Sequence, residues 1–393
     1  MFKEIRELLG FGRIYLDFAS GTPVDIEVEK VITNIEKDFF ANPSAIHHEG
    51  RTAHLMVEEA RKSVARSLKV HGDEIIFTSG ATESNNLCIG GVLGGEAEAE
   101  VITTKVEHSA ILAPLKKFSS KISFISLNES GYIDIESFKK LLNPNIKLVS
   151  VSLINSETGI VAPTREMFTI IKRYKESLNR GELDYPFFHI DGSQAPLVVS
   201  VERDDIKADL LTLDSGKIYG PKGVGVLSVK RGIVLKPIIL GGGQEGGRRA
   251  GTENLPGYFG FSKALEKCVE DRQKFVEKCK ELRGVFIKEL IKNKIRYESY
   301  FEDGAEHILN ICFPEMRSDS EYAVMRLSEL GVSSSSTSAC VSLSGSNTSK
   351  VLSEIEKTKN CASKSIRFSF GRTTTNLQIK KAVQALKRVT ITN

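Results

Sequence analysis

PFFHIDGSQAPLVVSVERDDIKADLLTLDSGKIYGPKG, residues 186–223, decides the fold. It contains two short apolar runs, PFFHID and ADLLTLD, too continuous for half-exposed strands and too short for helices. Strands of this composition are buried on both faces, as in a parallel sheet covered by helices. Each run ends in residues able to do chemistry, Asp191 and Gln194 after the first and Lys217 in a glycine-lined turn after the second. Ligand chemistry in such sheets gathers at the carboxyl ends of the strands.

Working outward, EIIFTSG (from 74), VITTKV (101), ISFISL (122) and KLVSVSLI (147) repeat the strand pattern. HSAILAPLKKFSS, DIESFKKLL and residues 165–178 read as the helices between them. Alternating units of this length predict an α/β fold with a mainly parallel sheet. After the glycine-rich stretch 241–254 the pattern changes to a long charged helix reaching about Asn293. Strand HILNICF, helix DSEYAVMRLSEL, strands VSSSS and SIRFSF and helix NLQIKKAVQALKRV follow, a smaller α+β unit. The expected division is a large domain over 15–260 and a small one formed by 1–14 with 261–393.

The chain of 393 residues is long enough for two or three cores. Its 54 Lys+Arg against 50 Asp+Glu leave a net charge of +4, no electrostatic basis for a nucleic-acid partner. No run reaches the roughly 18 apolar residues of a membrane span, and MFKEIRELLGFGR lacks the apolar centre of a signal peptide, so a cytoplasmic protein is expected. The six cysteines, at 88, 268, 279, 312, 340 and 361, include no C-x-x-C pair for zinc or a redox dithiol. Most are expected to be buried thiols, and no metal site is expected.

The strand ends carry the candidate site. Gly80, Ala81 and Thr82 open a helix whose N–H groups, with the Thr82 hydroxyl, can cup a phosphate or merely cap the helix. His108 follows the next strand, where a structural role competes with a catalytic one. Asn155, Ser156 and Glu157 are turn residues or substrate contacts. Pyridoxal 5'-phosphate (PLP) asks for this set: a lysine to hold its aldehyde, an acid for its ring nitrogen, a phosphate cup and a group over the ring. Lys217, Asp191, Thr82 and His108 supply them from four strand ends. Gly241, Gly243 and Gly246 match a dinucleotide fingerprint literally, yet GGRRAGTEN is a poor helix start. In the second unit, Cys340 sits among small hydroxyl residues in a loop, suited to an accessible thiol. Arg367 lies in an apolar strand and needs either a substrate carboxylate or an ion-pair partner.

IYLDFASGTPVD (14–25), NPSAIHHEG, EIIFTSGATESNN, EHSAIL, NSETG, HIDGSQ, KIYGPKGVG, GGGQEGGRRAGTEN, SSTSAC and SIRFSFGR together resemble the cysteine desulfurases of the NifS/IscS type, class-V aminotransferases of PLP fold type I. The resemblance implies a seven-stranded, helix-sandwiched large domain and a small domain carrying the Cys340 loop, about 333–349. It also implies a homodimer that takes sulfur from L-cysteine, leaves alanine and passes a Cys340 persulfide to iron–sulfur scaffold or thiolation proteins. In it Lys217 holds the cofactor, Asp191 meets the ring nitrogen and Gln194 the ring oxygen. His108 covers the ring, Thr82 binds the phosphate, Thr252 reaches the phosphate of the neighbouring subunit, and Asn155 with Arg367 holds the substrate carboxylate. Ser215, or extra charge from Arg248, is expected to compensate at the phosphate for the family residues that Asp214 and Gly216 replace. The alternatives are a selenocysteine lyase or other class-V enzyme, or a divergent copy acting as a binding protein. Where the family reads S-x-H-K this chain has Asp214-Ser215-Gly216-Lys217, which places a carboxylate near the phosphate and predicts weaker cofactor binding. Thr337 replaces the usual glycine of the Cys loop, and residues 2–11 form an amphipathic extension.

Overall fold

Seven strands form the central sheet: β2 (Ile75–Thr78), β3 (Glu100–Thr104), β4 (Lys121–Ile125), β5 (Ile146–Ser152), β6 (Phe187–Asp191), β7 (Leu210–Asp214) and β8 (Gly225–Val229). Their spatial order is β2-β8-β7-β6-β5-β3-β4. All neighbours are parallel except those of β8, which runs antiparallel to both β2 and β7. The computed structural model describes residues 12–95, 98–301, 303–336 and 349–390. Residues of the central strands are buried on both faces, whereas β4 at one edge exposes Lys121 and Phe124. That is the burial their unbroken apolar composition requires.

A second, antiparallel sheet has the order β11-β12-β9, with β9 at Ile308–Cys312, β11 at Ser335–Ser336 and β12 at Ser365–Ser369. Beside it, β1 (Ile14–Tyr15) pairs parallel with β10 (Val332–Ser333), so the chain start described here adds to the small sheet. The expected boundary at 260/261 falls inside one continuous helix, Leu255–Lys292, capped by the Asn254 side chain on Gly257 N. This helix packs against helices Ile26–Asp38, His48–Leu68 and Asn376–Thr390 and thereby ties both sheets together.

Cysteines 88, 268 and 279 are buried thiols. Cys312 and Cys361 are a correction, because they form a disulfide across a sequence separation of 49 residues. Antiparallel pairing sets Cys312 opposite Ser365, and the turn closed by Lys364 N to the Cys361 carbonyl folds Cys361 back onto it. Cys340, Thr337 and the extension 2–11 lie outside the described residues.

Candidate active site

The carboxyl ends of β2, β3, β5, β6 and β7 converge on one cleft. At β6 the Asp191 side chain is 8 % exposed and accepts from Asn85 Nδ2 (2.7 Å), Ser193 N (3.0 Å) and Ser193 Oγ (2.5 Å). Three donors fix the orientation of this buried carboxylate at the strand end, where a ring nitrogen could meet it. Below it His189 bridges Ser150 Oγ (2.8 Å) and Thr212 Oγ1 (3.1 Å) across β5, β6 and β7. Burial holds that imidazole well below the ordinary histidine range, so it is a neutral brace.

Lys217 follows β7 in a single turn of 3-10 helix, Ser215–Lys217. Its Nζ donates to the carbonyls of Ala19 (3.1 Å) and Ser20 (2.7 Å). Gln194 Nε2 donates to the same Ala19 carbonyl at 2.8 Å, which brings the amide and the amine together. His108 caps helix Ser109–Phe118, its Nδ1 accepting from Ala110 N at 3.1 Å. With Nδ1 an acceptor, the neutral ring carries its proton on Nε2. Burial lowers the His108 pKa; the Asp191 charge opposes that shift and the Lys217 charge adds to it. The structural reading of this histidine, as a helix cap, is realised.

The start of helix Ala81–Leu93 is the candidate phosphate end. Gly80 has φ +146°, and a Cβ built on Gly225 would come within 2.6 Å of Gly80 backbone, so both close approaches need glycine. Thr82 is exposed at the rim. The Asp214 carboxylate also lies here, accepting from Ala81 N (3.0 Å) and Gly216 N (2.8 Å). The Ser215 hydroxyl is enclosed against Gly220, where an added Cβ would meet it at 2.1 Å, and has no hydrogen-bond partner among the described residues. The ring-end residues thus match the donor set PLP requires, and the phosphate end matches it with a resident carboxylate added.

Arg367 on β12 reaches the cleft from the small sheet. Its Nη1 donates to the Ser156 carbonyl (2.8 Å) and its Nη2 to Asp17 Oδ1 (2.8 Å) and Ser20 Oγ (2.6 Å). The ion-pair alternative is therefore realised, while the buried Nε has no partner among the described residues. Asn155 Oδ1 accepts from Glu157 N, Thr158 N and Thr158 Oγ1, and one Nδ2 hydrogen goes to the Val106 carbonyl, leaving the second available. Glu107, beside His108, accepts from Ser152 N, Ser152 Oγ and Thr104 Oγ1, and burial pushes its pKa up to about 7. Glu157 accepts from Ser349 Oγ at 2.7 Å, and burial likewise pushes it up to about 7. Thr252 is exposed near the end of the glycine-rich stretch.

Asn85, Asp17, Ala19 and Ser20 were not singled out from the sequence. Asn85 had a signal, as a polar residue in a helix otherwise buried nearly all round. Ala19 and Ser20 act mainly through carbonyls, which leave no trace in side-chain identity. A cavity of about 550 Å³ lined by Lys175, Arg180, Glu182, Asp209 and Lys230 lies at the amino ends of β6 and β7, the opposite end from this chemistry.

The Aminotransferase class-V family matches residues 14–382. The chain is 37 % identical over 384 residues to Cysteine desulfurase IscS of Dictyoglomus turgidum, covering 96 % of this chain and 94 % of that one. It is 36 % identical to a mitosomal cysteine desulfurase of Encephalitozoon cuniculi, over 97 % of this chain and 88 % of that one. A solved NifS-like protein superposes with a TM-score of 0.86 at 27 % identity, covering 96 % of this chain and 99 % of that one. A NifS-like protein from Rickettsia africae gives 0.83 at 26 %, with 96 % and 99 % covered. Sequence and fold agree from end to end, and the chain belongs to the class-V aminotransferases, PLP-dependent enzymes, among the cysteine desulfurases of the IscS/NifS type.

Proposed function

We propose that the cleft converts L-cysteine to L-alanine and hands the sulfur to Cys340. The observation that carries this reading is the meeting of Lys217, Asp191, Gln194 and His108 at the carboxyl ends of β7, β6 and β3, in a chain whose relatives are cysteine desulfurases. When bound, PLP supplies an aldehyde that captures amines and a ring that takes up an electron pair from the substrate. Lys217 would hold the aldehyde and would move the proton at the substrate Cα. Asp191, held in place by Asn85 and Ser193, would pair with the ring nitrogen. Gln194 turns toward the ring oxygen, His108 Nε2 covers the ring, and Thr82 serves the phosphate, whereas the Ser215 hydroxyl is enclosed against Gly220. Arg367 Nε and the second Nδ2 hydrogen of Asn155 face the substrate carboxylate.

In the transfer step the Cys340 thiolate attacks the substrate sulfur and the C–S bond breaks. Its electron pair is taken up on the carbon side, and protonation there gives alanine. The balance is L-cysteine plus enzyme thiol to L-alanine plus enzyme persulfide, with no external oxidant. The persulfide then serves acceptor proteins such as an iron–sulfur scaffold or thiolation protein, in a cytoplasmic setting. A homodimer fits exposed Phe40, Ile46, Val234 and Leu240. Thr252 belongs to that face, since Ala250 N bonds the Ile239 carbonyl, and would reach the partner's phosphate.

The test is product analysis of the PLP-loaded protein with L-cysteine and a reducing thiol. Equal yields of alanine and sulfide are expected, lost in Cys340→Ala. Turnover that survives Cys340→Ala would refute the thiol's role and favour a lyase of the same branch.

A further inference from the structure

We propose that Asp214 is a resident anion of the cofactor's phosphate site, competing with the phosphate for the start of helix Ala81–Leu93. The inference rests on the reading of this cleft as the PLP site. The Asp214 carboxylate bridges two backbone N–H groups, Ala81 N at 3.0 Å and Gly216 N at 2.8 Å, one on each side of the cup. It does there what a phosphate oxygen does at a helix N-terminus. The turn beneath is braced independently, because the Gly216 carbonyl accepts from Thr22 N and Thr22 Oγ1.

Among the described residues no salt bridge reaches the Asp214 carboxylate. On the same helix start stands a second carboxylate, Glu83, which bonds Ser79 N and takes up Arg249 at 2.7 Å. Arg248 donates to the carbonyls of Glu245 and Asp73. Lys222 Nζ reaches the Thr22 carbonyl and Lys217 Nζ those of Ala19 and Ser20. A phosphate arriving at Ala81 N must therefore displace the carboxylate, sacrificing its hydrogen bond, with like charges left close together. The ring end is untouched by this competition. The consequence is selective: Asp214 weakens the hold on PLP but not on unphosphorylated pyridoxal, so this chain distinguishes the two less sharply than a cup without the carboxylate.

The experiment is equilibrium titration of the apo protein with PLP and with pyridoxal, followed by cofactor absorbance, for wild type, Asp214→Asn, Asp214→Ser and Lys217→Ala. Asp214→Asn and Asp214→Ser should tighten PLP about tenfold or more and leave pyridoxal within about twofold. Equal or weaker PLP binding in both variants, or equal tightening of PLP and pyridoxal, would overturn the proposal. Lys217→Ala separates this failure from failure of the site itself: a cofactor absorbance band unchanged in Lys217→Ala would place PLP elsewhere and remove the premise.

Discussion

Two aspartates on neighbouring strands, Asp191 closing β6 and Asp214 closing β7, point into one cleft and are held in opposite ways. Asp191 is bonded by side-chain and backbone donors that lie behind it, Asn85 and Ser193, so its charge remains available to a cationic ligand group. Asp214 is bonded by backbone donors that an anionic ligand group would itself need. The lesson is that a carboxylate's role follows from whose hydrogen bonds it uses. The same residue type supports the cofactor at one end and competes with it at the other.

Substitutions should therefore act with opposite sign. Asp191→Ala should lower desulfuration by about 10²–10³-fold in steady-state assays, while Asp214→Asn tightens PLP. If both weaken the holoenzyme, the comparison fails. The disulfide lies outside both ends and serves as a control: Cys312→Ala should cost about 2–4 kcal/mol of stability in urea unfolding under oxidising conditions and leave PLP affinity unchanged.

Glu107 gives a pH test of the buried wall next to Asp191. Its folded pKa of about 7 lies above the ordinary value of 4.5, so its protonated form is favoured by folding. The stability this contributes is complete below pH 4.5 and is lost as pH rises through about 7. Apo protein should lose about 3 kcal/mol through that window, and Glu107→Gln should flatten the decline in unfolding curves. Smallest, Asn85→Ala should remove about 1–3 kcal/mol of stability by stripping a donor from buried Asp191, with no change in the Asp214 contacts.

The parallel strands were legible because burial on both faces forces unbroken apolar runs, and their ends led to Lys217, Asp191 and His108. Strand β8 was not singled out, since GVLSV follows a glycine-rich turn and is short. Helices Ile26–Asp38 and His48–Leu68 likewise went unnamed. The Ala19 and Ser20 carbonyls that hold Lys217 were invisible, because any residue offers a carbonyl. A spacing of 49 residues carries no sign of a disulfide; only the register of β9 with β12 makes it. The Asp214 conflict was visible as a charge out of place, but its hydrogen bonds to Ala81 and Gly216 required the fold.

The most direct test is a crystal structure of the PLP-bound protein. The account predicts the cofactor joined to Lys217, with Asp191 still bonded by Asn85 and Ser193 and Asp214 displaced from Ala81 N. A bound phosphate with Asp214 still on Ala81 N, or a cofactor ring turned away from Asp191, would contradict it.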